Sequence, residues 1–184
     1  MRVVFFAFDG LTLLDLVGAY DALRRVQGVR ITVLGTGPSH GDDGGLRIAT
    51  DGVLGDLAPY DLLVVPGGLG TRPLQKNTRI LEWLRSWGER RPVASVCTGS
   101  LLLGHAGFLR GLPATTHFSA YEELRPLCAE VVEDRRVVDA GRVITAGAVS
   151  SSLDLGLHLV ERFFGSDERQ RVSRAMAHEL REIR

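Results

Sequence analysis

Three short apolar runs, each ending in a cluster of small residues, constrain this chain most. Residues 3–8 are stopped by Asp9-Gly10, residues 61–66 run into Gly67-Gly68, and residues 92–96 run into Cys97-Thr98-Gly99-Ser100. Continuous apolar runs of this length, without polar alternation, are expected of strands buried on both faces. Helices must then cover both faces. The spacing supplies them: Leu16, Tyr20, Leu23 and Val26 form one stripe, Ile80, Trp83, Leu84 and Trp87 a second, and Leu153, Leu157, Val160 and Phe164 a third. Strand–helix alternation of this kind predicts a doubly wound, mostly parallel α/β sheet with helices on both faces. Residues 30–34 read as a further strand, 40–45 as a polar loop and 46–50 as a short strand at the sheet edge. Residues 114–116 read as a brief strand and 119–127 as a short helix. The valine pairs at 131–132 and 137–138, with 143–144, read as small strands around Gly141, and the last helix is expected over about 168–180. No repeat or linker divides residues 1–184, which suits one domain.

Charge and cysteine usage narrow the function. The 22 Lys and Arg balance 22 Asp and Glu, which removes the basic footprint of a nucleic-acid binder. Lys76 is the only lysine, so Schiff-base chemistry would rest on one residue. Two distant cysteines, Cys97 and Cys128, form neither a disulfide framework nor a zinc site, which fits a reducing, cytoplasmic compartment. No run approaches the ~20 apolar residues of a membrane span, and residues 3–8 are shorter than a signal-peptide core.

The candidate chemistry centres on Cys97. A buried strand runs into a cysteine and small residues lead straight into a helix, the layout of a nucleophile elbow. Ligands of open α/β sheets bind at the carboxyl ends of the strands. A helix N-terminus there is expected to lower the thiol pKa and to offer N–H groups to an oxyanion. The alternative is a small buried apolar residue, the reading that suits Cys128. Gly67 and Gly68 follow a neighbouring strand and free their backbone for close approach, so they are candidate oxyanion or substrate donors. Neither a Walker loop nor a dinucleotide fingerprint is present. Asp15 suits two roles, a helix cap or a buried acid whose pKa is raised among leucines. His117, after a short strand, is a candidate for the same sheet end. His40 and His178 read as solvated, and residues 151–154 as a capping box. No set of side chains has metal-ligand spacing, so no metal is expected.

Asp15-Leu16-Val17-Gly18, Pro66-Gly67-Gly68, Val96-Cys97-Thr98-Gly99-Ser100, Thr115-Thr116-His117 and Ala146-Gly147-Ala148-Val149 occur in the order seen in the DJ-1/PfpI superfamily, which the chain resembles over nearly its whole length. Within it the chain is most similar to the isonitrile hydratase branch and to the amidotransferase-like domains of AraC-type regulators. The resemblance implies a flavodoxin-like three-layer α/β/α sandwich, usually a homodimer, that acts on a small molecule without a cofactor. It implies Cys97 as nucleophile, Asp15 as its acidic partner, Thr98 as the residue tuning the elbow and the Gly68 backbone as oxyanion donor. Thr98 stands where the peptidase-like branch has His, and Asp15 where the DJ-1 and glyoxalase-like branches usually have Glu. Ala19 replaces a Pro common after the Asp-Leu-x-Gly motif. Two alternatives go with the resemblance: a glyoxalase or deglycase activity, and a ligand- or redox-sensing module whose Cys97 is oxidised to the sulfinic acid.

Overall fold

The structure, a computed structural model, describes residues 1–178. Seven strands form the central sheet: β1 (Arg2–Ala7), β2 (Arg30–Gly35), β5 (Gly52–Val53), β6 (Leu62–Val65), β7 (Val93–Val96), β10 (Val137–Ala140) and β11 (Val143–Ala146). Their order is β10-β11-β7-β6-β1-β2-β5, and every neighbouring pair is parallel except the β10–β11 hairpin. The continuous apolar runs have become the middle of this sheet, where β6 and β7 are buried at every residue.

Neighbouring residues of one strand show how the faces are covered. Side chains alternate across a strand. Phe5 packs edge-on against Tyr20 of helix α1 (Leu13–Leu23), with ring centroids 6.0 Å apart. Phe6 packs against Trp83 of α3 (Thr78–Arg85), 5.0 Å away. One helix layer therefore lies on each face. On the α1 face, α6 (Ser151–Phe164) approaches closely because a side chain at Gly18 would collide with Ser152, and one at Gly156 with Ala19 and Ala22. On the α3 face lies α4 (Gly99–His105). Helix α7 (Ser166–Met176) closes the described chain against α6. The part of the expected last helix beyond residue 178 falls outside the described residues.

Several local expectations are corrected. Residues 46–50 do not border the main sheet. Strand β4 (Arg47–Ala49) pairs antiparallel with β3 (Ser39–Gly41), inside the expected loop, and the sheet edge is β5. His40 is buried rather than solvated, because its Nε2 accepts the Gly37 N–H at 3.1 Å. Strand β8 (Pro113–Ala114) pairs with β9 (Glu130–Val131) in a separate two-stranded sheet rather than in the main one. The expected helix over 119–127 is three single turns: a 3-10 turn Phe118–Ala120, α5 (Tyr121–Leu124), and a 3-10 turn Arg125–Leu127 around Pro126, which breaks the ladder. A short α2 (Thr71–Leu74), not expected, follows the Gly67-Gly68 turn. No helix among the described residues is long and apolar enough to cross a membrane.

Because β1, β6, β7 and β11 are parallel and adjacent, the segments that follow them meet at one end of the sheet. Backbone bonds tie two of these turns together: Thr12 N–H donates to Gly67 C=O at 2.9 Å, and Gly70 N–H to Gly10 C=O at 2.9 Å.

Candidate active site

Strand β7 runs into Cys97, whose φ of 54° lies in the left-handed region. A non-glycine residue there costs on the order of 1–3 kcal/mol and persists only where its surroundings over-determine it. Here they do. The Cys97 N–H donates to Ala146 C=O at 2.9 Å. The Cys97 carbonyl accepts from the hydroxyls of Ser100 at 3.0 Å and Thr116 at 2.9 Å. The turn holds the sulfur at the carboxyl end of the sheet, with the residue only 6% exposed.

Asp15 reaches the same place from α1. The helix begins at Leu13 with Thr12 as N-cap, so Asp15 lies inside the first turn and is not the cap. Its carboxyl is fully buried, and Oδ2 accepts the Gly67 N–H at 2.9 Å. The neighbouring Cys97 thiol favours the charged form of the same carboxyl, and Oδ1 is buried without a hydrogen-bond partner. Burial raises the Asp15 pKa to about 7, against the opposing pull of the Gly67 N–H and of the thiol.

Thr98 lies between these groups. Its amide and hydroxyl both favour the Cys97 thiolate. Its Oγ1 also accepts the Gly68 N–H at 2.9 Å and lies 3.1 Å from both Gly68 C=O and Thr71 Oγ1. The Thr71 hydroxyl donates to Gly68 C=O at 2.8 Å. Gly67 must be glycine, since a Cβ would sit 2.6 Å from Thr98 N and 2.9 Å from Asp15 Oδ2. Gly68 has φ 123°, and its Cβ would meet the backbone at Gly10 and Thr12.

Two expectations change as a result. The Gly68 N–H is spent on Thr98 Oγ1 and the Gly67 N–H on Asp15, so neither is aimed free at an oxyanion. The glycines shape the site instead. The thiol pKa is not lowered: burial first, and then the Asp15 charge, push Cys97 up to about 12, and the Thr98 donors do not offset them. Cys97 is a neutral thiol beside a carboxyl that titrates near neutrality.

His117 is half-buried and is not drawn into this cluster by hydrogen bonds. Its Nδ1 lies 2.8 Å from Ser119 Oγ and accepts the Ser119 N–H, while the ring stacks on Phe118 with centroids 4.2 Å apart. The residues between the two are informative. Thr116 holds the Cys97 carbonyl and also lines a cleft of about 180 Å³ with Thr115, Phe118, Tyr121 and Arg135. Thr71 and Thr116 were missed by sequence reasoning. Thr116 follows a short strand and was legible as part of the Thr-Thr-His motif, whereas nothing local marks Thr71. The expected capping box at 151–154 does not form. Ser150 is the N-cap without a side-chain bond, and Asp154 instead pairs with Arg136 at 2.5 Å. Among the described residues no three His, Cys, Asp or Glu side chains are grouped to hold a metal ion.

Known proteins share this architecture. The DJ-1/PfpI family matches residues 1–162. The isonitrile hydratase of Pseudomonas putida is 35% identical over 175 residues, covering 94% of this chain and 76% of that protein. Protein DJ-1 homolog A of Arabidopsis thaliana is 32% identical over 167 residues, covering 87% of this chain but 42% of that protein. Among solved structures, a ThiJ/PfpI family protein from Pseudomonas syringae superposes with a TM-score of 0.91 at 27% identity, covering 98% of this chain and 76% of that one. A flavodoxin-like sheet with a left-handed cysteine at the end of β7, matched over most of its length, makes this chain a member of the DJ-1/PfpI family.

Proposed function

We propose that the chain is an isonitrile hydratase-like lyase that converts a small isocyanide to an N-substituted formamide by covalent catalysis at Cys97. The observation that carries this reading is the pairing of a neutral thiol with a buried carboxyl whose pKa is about 7. Hydration of R–N≡C adds a nucleophile and a proton to the same carbon, so one group must take the thiol proton and return it close by. A carboxyl titrating near neutrality suits both directions. The 35% identity to an isonitrile hydratase supports the same substrate class.

In the first step Asp15 takes the thiol proton as the sulfur lone pair forms a bond to the terminal carbon. The carbon lone pair then receives that proton, giving the thioimidate R–N=CH–S–Cys97. Water adds to this carbon, its proton passing through Asp15 to the nitrogen. Collapse of the tetrahedral intermediate breaks the C–S bond, releases R–NH–CHO and returns the proton to sulfur. The Thr98 amide and hydroxyl stabilise the sulfur anion as it forms and leaves. The reaction needs water alone as co-reactant, and the substrate is small and uncharged.

The test is incubation with cyclohexyl isocyanide, following the formamide by chromatography and the acid-quenched protein by mass spectrometry. Turnover with an adduct on the Cys97 peptide is expected. No turnover, or turnover without dependence on Cys97, overturns the reading, and lactate from methylglyoxal in a parallel assay would replace it. The active unit in this proposal is a homodimer. Leu14 and Val17, at 40% and 36% exposure and one turn apart on α1, are apolar surface suited to a second copy. Light scattering should give twice the chain mass.

A further inference from the structure

The opposite end of the sheet carries a second set of charged groups that the chemistry above does not use. Helix α3 ends at Arg85, the turn after α4 contains Arg110, and the β10–β11 turn contains Arg142. All three line one groove of about 690 Å³ with Phe108 and Leu112. A second depression of about 390 Å³ adjoins it through Arg85 and Arg110. Arg142 is placed there because its carbonyl accepts the N–H of Val93, the first residue of β7, at 3.0 Å. Cys97 follows the last residue of that strand, so the groove and the thiol are separated by the length of β7, ~13 Å at the rise of an extended chain.

The charges of this groove are unbalanced. Among the described residues none of the three arginines pairs with a carboxylate, whereas half of the other described arginines do. Arg142 Nη1 is buried without any hydrogen-bond partner, while its guanidinium lies 5.4 Å from the centre of the Phe108 ring. A buried guanidinium N–H left unpaired is costly and calls for an acceptor. Arg85 is held in place by its bonds to the carbonyls of His105 at 3.1 Å and Ala106 at 3.4 Å. Arg110 is exposed and makes no hydrogen bond to a described residue, which leaves its whole fork available. Glu89 is the single carboxylate lining the groove, and His105 borders the smaller depression.

We infer that this groove is a binding site for a small dianion, carrying a phosphoryl group or paired carboxylates, at the end of the sheet remote from Cys97. Three guanidinium forks against one carboxylate leave an excess of about two positive charges. Planar arginine forks match the oxygens of phosphate and carboxylate bidentately. The apolar wall of Phe108 and Leu112 suits the carbon skeleton that bears such a group. This site stands independently of the isocyanide reading, since it shares no residue with the Cys97 cluster.

The test is calorimetric titration of the whole chain with phenyl phosphate and, separately, with succinate, at pH 7.5 and fixed ionic strength. Saturable binding at one site, weakened at least tenfold by Arg110→Ser and by Arg142→Gln, is expected for at least one probe. The tighter probe identifies the acid. Arg110 is exposed and its side chain makes no hydrogen bond or ion pair with a described residue, so its variant remains informative if Arg142→Gln is poorly folded. The Cys97→Ala protein should bind as wild type does. Absence of saturable binding, equal binding by wild type and both arginine variants, or loss of binding in Cys97→Ala overturns the site.

Discussion

The chain's two cysteines differ in burial, Cys97 buried and Cys128 half-buried, and in the neighbours that surround them. Both thiols are pushed above the ordinary range, and burial is the first cause in each. Cys128 follows a 3-10 turn in an extended conformation, φ −134°, and its thiol donates to the carbonyls of Leu124 and Glu130 at 3.5 and 3.4 Å. Its proton is committed to backbone oxygens that cannot accept it permanently. Cys97 has a left-handed backbone, two donors from Thr98 and a carboxyl that can carry a proton away. The difference teaches that burial alone does not set the two thiols apart. Only Cys97 has beside it a group able to take up its proton, the Asp15 carboxyl whose pKa is raised to about 7.

The strongest way to break this comparison is to remove each sulfur in turn. Cys97→Ala should lower isocyanide turnover by at least about 10³-fold, as removal of a covalent nucleophile does. Cys128→Ala should leave it within about twofold, so a large loss at position 128 would sink the contrast. Next in size is the Asp15 effect, which can be read without substrate. Its folded pKa of about 7 exceeds the ordinary carboxyl value of 3.8, so the folded state holds a proton that the unfolded chain releases. Its contribution to stability is therefore full below pH ~4, falls as pH rises, and is lost by about pH 7. The fall amounts to roughly 4 kcal/mol. Urea unfolding of wild type and Asp15→Asn should show the variant gaining on wild type by this order between pH 4 and pH 7. A pH-independent difference would mean that Asp15 ionises normally. Thr98→Val comes third. It strands the buried Gly68 N–H, which now donates to Thr98 Oγ1, and should cost about 1–3 kcal/mol, with slower turnover as the sulfur loses a donor. Thr98→Ser, which keeps the hydroxyl, should recover most of both.

How much of this was legible in the sequence depends on how local each cause is. The apolar runs at 3–8, 61–66 and 92–96 announce strands β1, β6 and β7 because two-sided burial demands continuous apolar residues. The edge strand β5 announces nothing. Gly52 and Val53 are extended because Leu34 and Gly35 pair with them and because Asp51 accepts the Val33 N–H at 2.7 Å. The position of Cys97 was readable from the strand, cysteine and small residues around it. Its pKa was not: the helix that follows is a local feature, whereas burial and Asp15 act from segments far away in the chain. The same holds for Gly67 and Gly68. Their need for glycine was visible, but the side chains that occupy their N–H groups lie 52 and 30 residues away. Asp15 showed its buried setting among leucines, and the family resemblance, not its own surroundings in the sequence, named Cys97 as its partner.

The smallest effect separates backbone from side chain. Glycine costs nothing extra at positive φ, whereas any L-residue there carries roughly 1 kcal/mol or more of steric strain. At φ −134° the order reverses, because glycine loses more freedom on folding than alanine does, by about 0.5–1 kcal/mol. Comparing Ala with Gly at each cysteine position cancels the lost sulfur, since neither replacement carries one. At position 97, with φ 54°, the Gly variant should unfold at higher urea than the Ala variant by about 1 kcal/mol. At position 128 the Ala variant should be the more stable of the pair. The two differences have opposite signs, so a uniform effect of glycine on the unfolded chain cannot imitate them. If Cys97→Gly proved less stable than Cys97→Ala, the turn would be relaxing when the thiol is removed. The bonds that Cys97 accepts from Ser100 and Thr116 and donates to Ala146 would then fail to hold the backbone, and the sulfur's presentation to Asp15 would depend on the sulfur itself rather than on the elbow.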